Sequence, residues 1–425
     1  MKQSFYTSII VPLKECRRSE LAFITTAFSI PLWPQLTIAC TVIWFLIIFL
    51  DSSLQKIVSG FKSNPIFLLP VFFYAIILLG LVWTENYTSA FKECMDDLYL
   101  LLFPILINGF DYSYKLFHLV RRYFSLGGLL ACVICLALGL FYFISTGDIH
   151  EMFYIKFSKL LHPTYFGATL ILSLLFLFDQ FKKKDGAKCY WVISIQILTL
   201  ILLCSKITYL MAIAVLLMRL AIALVRREKF LELNFKNTIL VIGTALVFGL
   251  TQYTQSRIPQ LITALEKTSV STVPENAFVD STTYNSSTIR IAQIKYSVEL
   301  IRKNSFYGSG TGDVADDFRG ILEEHHDTYG ILHFRLPHNF YLHILIMLGY
   351  PGILVGILLL LIPIIWSLKK KYFLFMETLV FFSITGMTDI IIHATLGTLF
   401  AFAFCFLYAE CRKNEFEKPY KEFSS

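Results

Sequence analysis

The chain has 425 residues, of which 56% are hydrophobic and only 16% charged, with a net charge of +7. A water-soluble domain of that size could not bury so much apolar surface, so the bilayer is expected to be its main solvent. The basic residues fall in short bursts between apolar runs and form no basic module, which excludes a nucleic-acid partner and fits a chain that crosses a membrane repeatedly.

Apolar runs long enough to cross, or nearly so, occur at about 20–33, 35–50, 66–84, 96–109, 123–145, 163–180, 190–204, 206–225, 238–255, 340–367, 373–391 and 394–410. They predict an all-α polytopic membrane protein of about 12 transmembrane helices. No repeat divides the chain into similar halves. The nine cysteines show neither a disulfide framework nor zinc spacing. The first twenty residues lack a small-residue cleavage site, so no removable signal peptide is expected. Three regions follow: spans 1–9 over residues 1–255, a large loop with an amphipathic helix over 256–339, and spans 10–12 with a terminal tail over 340–425.

Charge sets the expected orientation. With the N-terminus in the cytoplasm and strict alternation, 25 of the 37 Lys and Arg residues fall on the cytoplasmic side. Eight of the other twelve belong to the long loop, where charge carries little topological weight. Both termini are then cytoplasmic and the loop between spans 9 and 10 is extracytoplasmic. Eight of the nine histidines fall on that outer side, with His162, Lys206, Asp389 and His393, so the working surface is expected there.

A loop of about eighty residues is too long for a simple connection. Its part up to about residue 283 carries no assignable signal. Asn285, Ser286 and Ser287 offer helix caps, and Ile294, Val298 and Ile301 form a helical stripe, which predicts an amphipathic helix at the membrane surface. Arg290 sits near its N-terminus, where a cation opposes the helix dipole. It is read either as a snorkelling surface residue or as part of an anion site built with exposed N–H groups. The GSGTGD run from Gly308 to Asp313 lacks the residues of a P-loop and reads as a turn permitting close backbone approach. Glu323, Glu324, His325, His326 and Asp327 are adjacent and point to different helix faces, so a solvated charged face is expected there rather than a metal site. At Pro337-His338-Asn339 the chain returns to the membrane. Asn339 can cap the tenth span, and His338 is either a polar cap or a general base.

These features together resemble the O-antigen ligase and polysaccharide polymerase superfamily. The resemblance rests on about twelve spans, a large outer loop before the tenth, an arginine on a loop helix, and HNFYLHILIMLGYPG from His338 to Gly352. The stretches HPTYFG (His162 to Gly167) and LIRKNSFYGSGTGD are also similar to family segments. The resemblance implies a lipid-linked glycosyltransferase of the inner membrane with no cofactor and no required metal. Such an enzyme moves a glycan from undecaprenyl diphosphate to lipid A–core or another acceptor at the periplasmic face. It implies a catalytic His338 and a phosphate-binding Arg290. A second family arginine corresponds to Ser205-Lys206, where lysine keeps the charge and loses the bidentate fork. His162, Tyr165, Asn339 and Tyr341 are further candidates for lining the site. His338 would deprotonate the acceptor hydroxyl, and a single displacement implies inversion. The alternatives are a repeat-unit polymerase of the same superfamily, and a transporter or flippase for lipid-linked oligosaccharide. A flippase would call for charges near the bilayer midplane and internal repeats.

Overall fold

The structure, a computed structural model, describes residues 13, 15–180, 186–226, 286–304, 306–327, 330–331 and 336–422. All regular secondary structure among them is helical. In chain order the helices are α1 (Arg18–Ser29), α2 (Pro34–Asp51), α3 (Leu54–Ser63), α4 (Pro65–Val82), α5 (Tyr87–Asp96), α6 (Tyr99–Asn108) and α7 (Tyr114–Thr146). There follow α8 (Pro163–Gln180), α9 (Gly186–Leu202), α10 (Lys206–Arg226), α11 (Ser286–Lys303), α12 (Val314–Glu324), α13 (Phe340–Lys370), α14 (Phe373–Gly386) and α15 (Ala394–Glu422). Five of these are long and apolar enough to cross a membrane, and shorter apolar helices accompany them. The chain is therefore an all-α polytopic membrane protein. The expected ninth span, 238–255, and the loop up to residue 283 lie outside the described residues.

Helix α15 is the axis of the bundle. A helix that is apolar on every side belongs inside, and between Leu396 and Ala409 almost every residue is buried. Phe402 stacks on Phe124 of α7 with ring centroids 5.5 Å apart, and Phe406 lies against Phe176 of α8. Around this axis α7 and α8 are antiparallel neighbours, while α6 and α14 also pack on α15. One end of the bundle is fastened by buried charge. Arg121 of α7 bonds Asp179 of α8 and Glu410 of α15, and Arg219 of α10 bonds Glu377 of α14 at 2.9 Å. None of these ion pairs is readable from spacing along the sequence.

Two departures from the sequence expectations bear on function. The short helix α3 was read as part of a connection. It is amphipathic, capped by Ser53, and lies against α6 with Leu54 and Val58 exposed. The larger departure is at α13, expected as one span over 340–367. At Gly349 the backbone leaves the helix (φ 62°, ψ −154°), dividing α13 into two arms. Residues 340 and 356 would be about 24 Å apart in a straight helix. Yet a Cβ on Gly356 would sit 3.3 Å from the Phe340 ring, and one on Gly352 would sit 3.3 Å from the Ile344 side chain. The first arm therefore folds back along the second. The second arm, 350–370, is about 31 Å long and suffices alone to cross a bilayer.

The break is closed by the glycine-rich turn that precedes it. Ser309 N–H donates to Ile346 O at 2.8 Å, Gly310 N–H to Met347 O at 2.9 Å, and Tyr350 N–H to Phe306 O at 3.0 Å. A Cβ on Gly308 would lie 2.5 Å from Ile346 O, and one on Gly349 would lie 2.0 Å from Phe306 O. The close backbone approach expected of GSGTGD is thus present, and its object is the broken helix. Thr311 continues the clamp by donating its hydroxyl to Ile77 O of α4 at 2.6 Å.

Two stability tests follow. Gly349→Ala is expected to abolish the cooperative thermal transition in detergent, because this backbone conformation is open almost only to glycine and the added methyl meets backbone. Arg121→Met leaves the buried Glu410 carboxylate without its partner and is expected to cost about 3–5 kcal/mol. In the same melting assay, Arg121→Met combined with Glu410→Met should recover part of that loss.

Candidate active site

The end of the bundle remote from Arg121 gathers the polar residues singled out in the sequence. His162 precedes α8, and Gly167 lets the start of α8 approach the start of α10, where a Cβ would lie 2.2 Å from the Thr208 hydroxyl. That contact brings His162 and Tyr165, whose rings are 5.3 Å apart, beside the turn at Ser205. Ser205 is buried, and its hydroxyl accepts from Thr208 N–H at 3.4 Å. Lys206 occupies the first position of α10, and its side chain is outside the described residues.

His338 immediately precedes the first arm of α13. Because that arm folds back, His338 lies alongside the second arm and not at its head. Its side chain is 57% exposed, which leaves the imidazole reachable, and its Nδ1 is 3.8 Å from Asp389 Oδ1. Asp389 follows α14, is nearly buried, and accepts the N–H of Ile390 at 2.9 Å. It is the centre of the group. Arg290 and His162 both feel its charge, and His162 also feels His338. Burial pushes His162 below the usual imidazole value, with Asp389 opposing and His338 adding to the fall. Burial likewise lowers Arg290, again opposed by Asp389, with Tyr154 within electrostatic reach.

The expected stripe on the loop helix α11 faces the other way. Gln293, Tyr296, Ser297 and Leu300 form its buried face, whereas Ile294 and Val298 are exposed. Gln293 Nε2 donates to Leu336 O at 3.2 Å, which fixes α11 to the chain just before His338. Arg290 has the next helical turn before Gln293 and so looks towards the site. Asn339 does cap α13, accepting from Leu342 N–H at 3.0 Å, and its amide donates to Met387 O at 2.9 Å. Tyr341 donates its hydroxyl to Ser383 O at 2.9 Å. Both side chains thereby join α13 to α14.

The acidic and histidine run is likewise occupied. Asp327 is buried, accepting from the Tyr296 hydroxyl at 2.9 Å and Gly330 N–H at 2.8 Å. His325 Nε2 is 2.8 Å from Glu299 Oε2, and Glu323 pairs with Arg319. Glu323, Glu324, His325 and His326 are exposed, as expected of a solvated charged face, and Asp327 alone is buried; the run also joins α12 to α11. Sequence reasoning placed Asp389 on the outer working surface without giving it a role beside His338, and it did not single out Tyr154. The role of Asp389 could have been found from its place on the same outer hairpin as His393, a carboxylate in an otherwise apolar stretch.

Next to the site lies a second ionic cluster. His393 Nδ1 is 3.2 Å from Glu93 Oε2 and its Nε2 is 3.5 Å from Asp96 Oδ2. Burial alone would lower His393. The hydrogen bond and charge of Glu93, with Asp97 and Asp96, outweigh it and push the imidazole up to about 9.

Residues 191–357 match the family model described as O-antigen ligase. A comparison with curated proteins found no match. The matched region contains Ser205, Lys206, Arg290, His338, Asn339 and Tyr341, while His162, Tyr165 and Asp389 lie on either side of it. With the motifs and the helical fold, the match over this region supports a likeness to the O-antigen ligase-like superfamily, whose members are ligases and polymerases of the glycosyltransferase type.

The His393 cluster makes a pH prediction. A folded-state value above the unfolded 6.5 means that the cluster's stabilisation is complete below that pH and is lost as pH rises through about 9. The melting temperature in detergent should fall between pH 7 and 10, and His393→Gln should flatten that slope.

Proposed function

We propose that the chain transfers a glycan from undecaprenyl diphosphate to an acceptor hydroxyl at the periplasmic face of the inner membrane, as an O-antigen ligase. The observation that carries this reading is the convergence of His162, Arg290 and His338 on Asp389 at one end of the bundle. In the chemistry required, a hydroxyl attacks an anomeric carbon and a lipid diphosphate departs. A base must take the hydroxyl proton, and cations must meet the charge growing on the leaving group.

His338 takes the proton, since its imidazole is accessible and Asp389 stands beside Nδ1 to orient the ring and balance the charge it acquires. Arg290, half-buried and free of a close carboxylate partner among the described residues, binds the diphosphate, and Lys206 supplies a second cation. The new glycosidic C–O bond forms as the bond to the diphosphate oxygen breaks, and a single displacement inverts the anomeric centre. No metal is required in this scheme. The folded-back arm of α13 supports the reading further. If Tyr350 marks the outer interface, His338 sits near the level of residue 356, about 9 Å below it. That is a depth suited to the headgroup of a lipid donor whose tail remains in the bilayer. The periplasmic position and the cytoplasmic termini rest on the distribution of Lys and Arg.

Deleting the gene and resolving the surface glycan on gels tests the assignment. Core lacking long glycan is expected, whereas core bearing a single unit would mean a polymerase. Complementation with His338→Ala or Arg290→Ala should fail, and normal glycan with either would overturn the site. In a purified transfer assay, His338→Ala should lower kcat by about 10²–10⁴-fold. Asp389→Asn should lower kcat less and leave KM nearly unchanged, as befits a positioning residue. An anomer-retaining product would refute the single displacement.

A further inference from the structure

We propose that a cleft between the start of α5 and the glycine-rich turn is a saccharide subsite, selective for neutral or amino-bearing sugars over phosphorylated or uronic ones. The proposal rests on the glycosyltransferase reading for its ligand class, but its evidence lies away from His338. The cleft holds about 620 Å³ and is walled by Trp83 and Tyr87, with Glu85, Asn86, Asp316 and Asp317 among its polar lining. That volume lies within the range of small-ligand pockets and accommodates a di- or trisaccharide.

Its construction is specific. Asp313 is consumed in building the wall: it accepts from the Thr84 hydroxyl at 2.8 Å, Glu85 N–H at 2.9 Å and Asn86 N–H at 2.7 Å. Those bonds fasten the α4–α5 connection to the turn that clamps α13, so the cleft is set on a rigid base. The Asn86 amide donates to Asp316 at 2.7 Å. Glu85 and Asp317 have no partner for their carboxylates among the described residues, and planar carboxylates accept pairs of hydroxyl hydrogens.

The aromatic wall is a second and independent observation. The Trp83 ring leans on Tyr307, with centroids 6.2 Å apart, and Tyr87 is largely exposed. The indole N–H of Trp83 is turned into the protein, with no acceptor among the described residues, so Trp83 offers the cleft the face and edge of its ring. The exposed Tyr87 ring and the partly exposed Trp83 ring match the C–H face of a pyranose, while the carboxylates match its hydroxyls. The negative charge repels phosphate and carboxylate substituents. A cation site is the lesser fit, because no group of three His, Cys, Asp or Glu among the described residues is arranged to hold a metal.

The test uses the full chain in nanodiscs, carrying His338→Ala to prevent turnover. Saturation-transfer NMR is recorded with maltotriose, a glucosamine trisaccharide and trigalacturonate, and the same sample is titrated with Ca²⁺ alone. Maltotriose and the glucosamine trisaccharide are expected to bind, and trigalacturonate at least tenfold more weakly. Trp83→Ala should weaken binding tenfold or more. Trp83→Phe, which keeps a smaller ring at the wall, should fall between. Asp317→Asn, on the protein surface, should weaken the glucosamine trisaccharide most and guards against misfolding as the cause. Absence of trisaccharide binding, binding indifferent to these substitutions, or a response to Ca²⁺ alone that Asp317→Asn removes would each overturn the proposal. Because binding is read without transfer, failure here leaves the ligase assignment standing. Normal surface glycan in the deletion strain would sink that assignment without touching this result.

Discussion

The three backbone hydrogen bonds between the Phe306–Gly310 segment and the break in α13 are the constraint on which the rest of the site depends. A helix interrupted within an apolar bundle leaves carbonyls that water cannot reach, and each unsatisfied group costs several kcal/mol. Here the interruption is tolerated because another stretch of backbone supplies the missing donors. Once the two segments are joined, much else is fixed. The first arm of α13 must run back along the second, and His338 is carried to the side of the bundle. The turn is also held against α4, through Thr311, and against the start of α5, through Asp313.

This coupling explains how residues far apart in the chain come together at one end of the bundle. Arg290 arrives on α11, whose buried face is tied to residue 336. Asp389 arrives after α14, which Asn339 and Tyr341 pin to the first arm of α13. His162 arrives on α8, drawn against α10 by the absence of a side chain at Gly167. The far end of the bundle is held by charge instead, through Arg121 and Arg219. The two ends therefore differ: at one, Arg121 and Arg219 are held in close pairs with carboxylates, while at the other His338 stays largely exposed beside Asp389.

Much of the fold was legible in the sequence because a bilayer imposes long apolar runs, and those runs mark helices almost by themselves. The boundaries of α2, α8 and α10 fell within a few residues of expectation. What could not be read was direction. The run from residue 340 to 367 is apolar throughout, and hydropathy is blind to a chain that reverses at one glycine. The motif around His338 signalled chemistry, yet the carboxylate beside it lies fifty residues later, and only tertiary packing brings the two together. The stripe on α11 misled for a related reason. Its protein-facing side carries Gln293 and Ser297 beside Tyr296 and Leu300, while Ile294 and Val298 look outward.

The burial of α15 bears on how such a chain is made. Synthesis runs from the N-terminus, and domains ordinarily fold in the order in which they emerge. Here the common packing partner of α6, α7, α8 and α14 comes after all of them. The earlier helices must enter the membrane and wait, their inward faces covered by one another, by lipid or by the insertion machinery. Assembly of this bundle is thus an act of completion, in which one late segment converts a loose collection of spans into a closed structure.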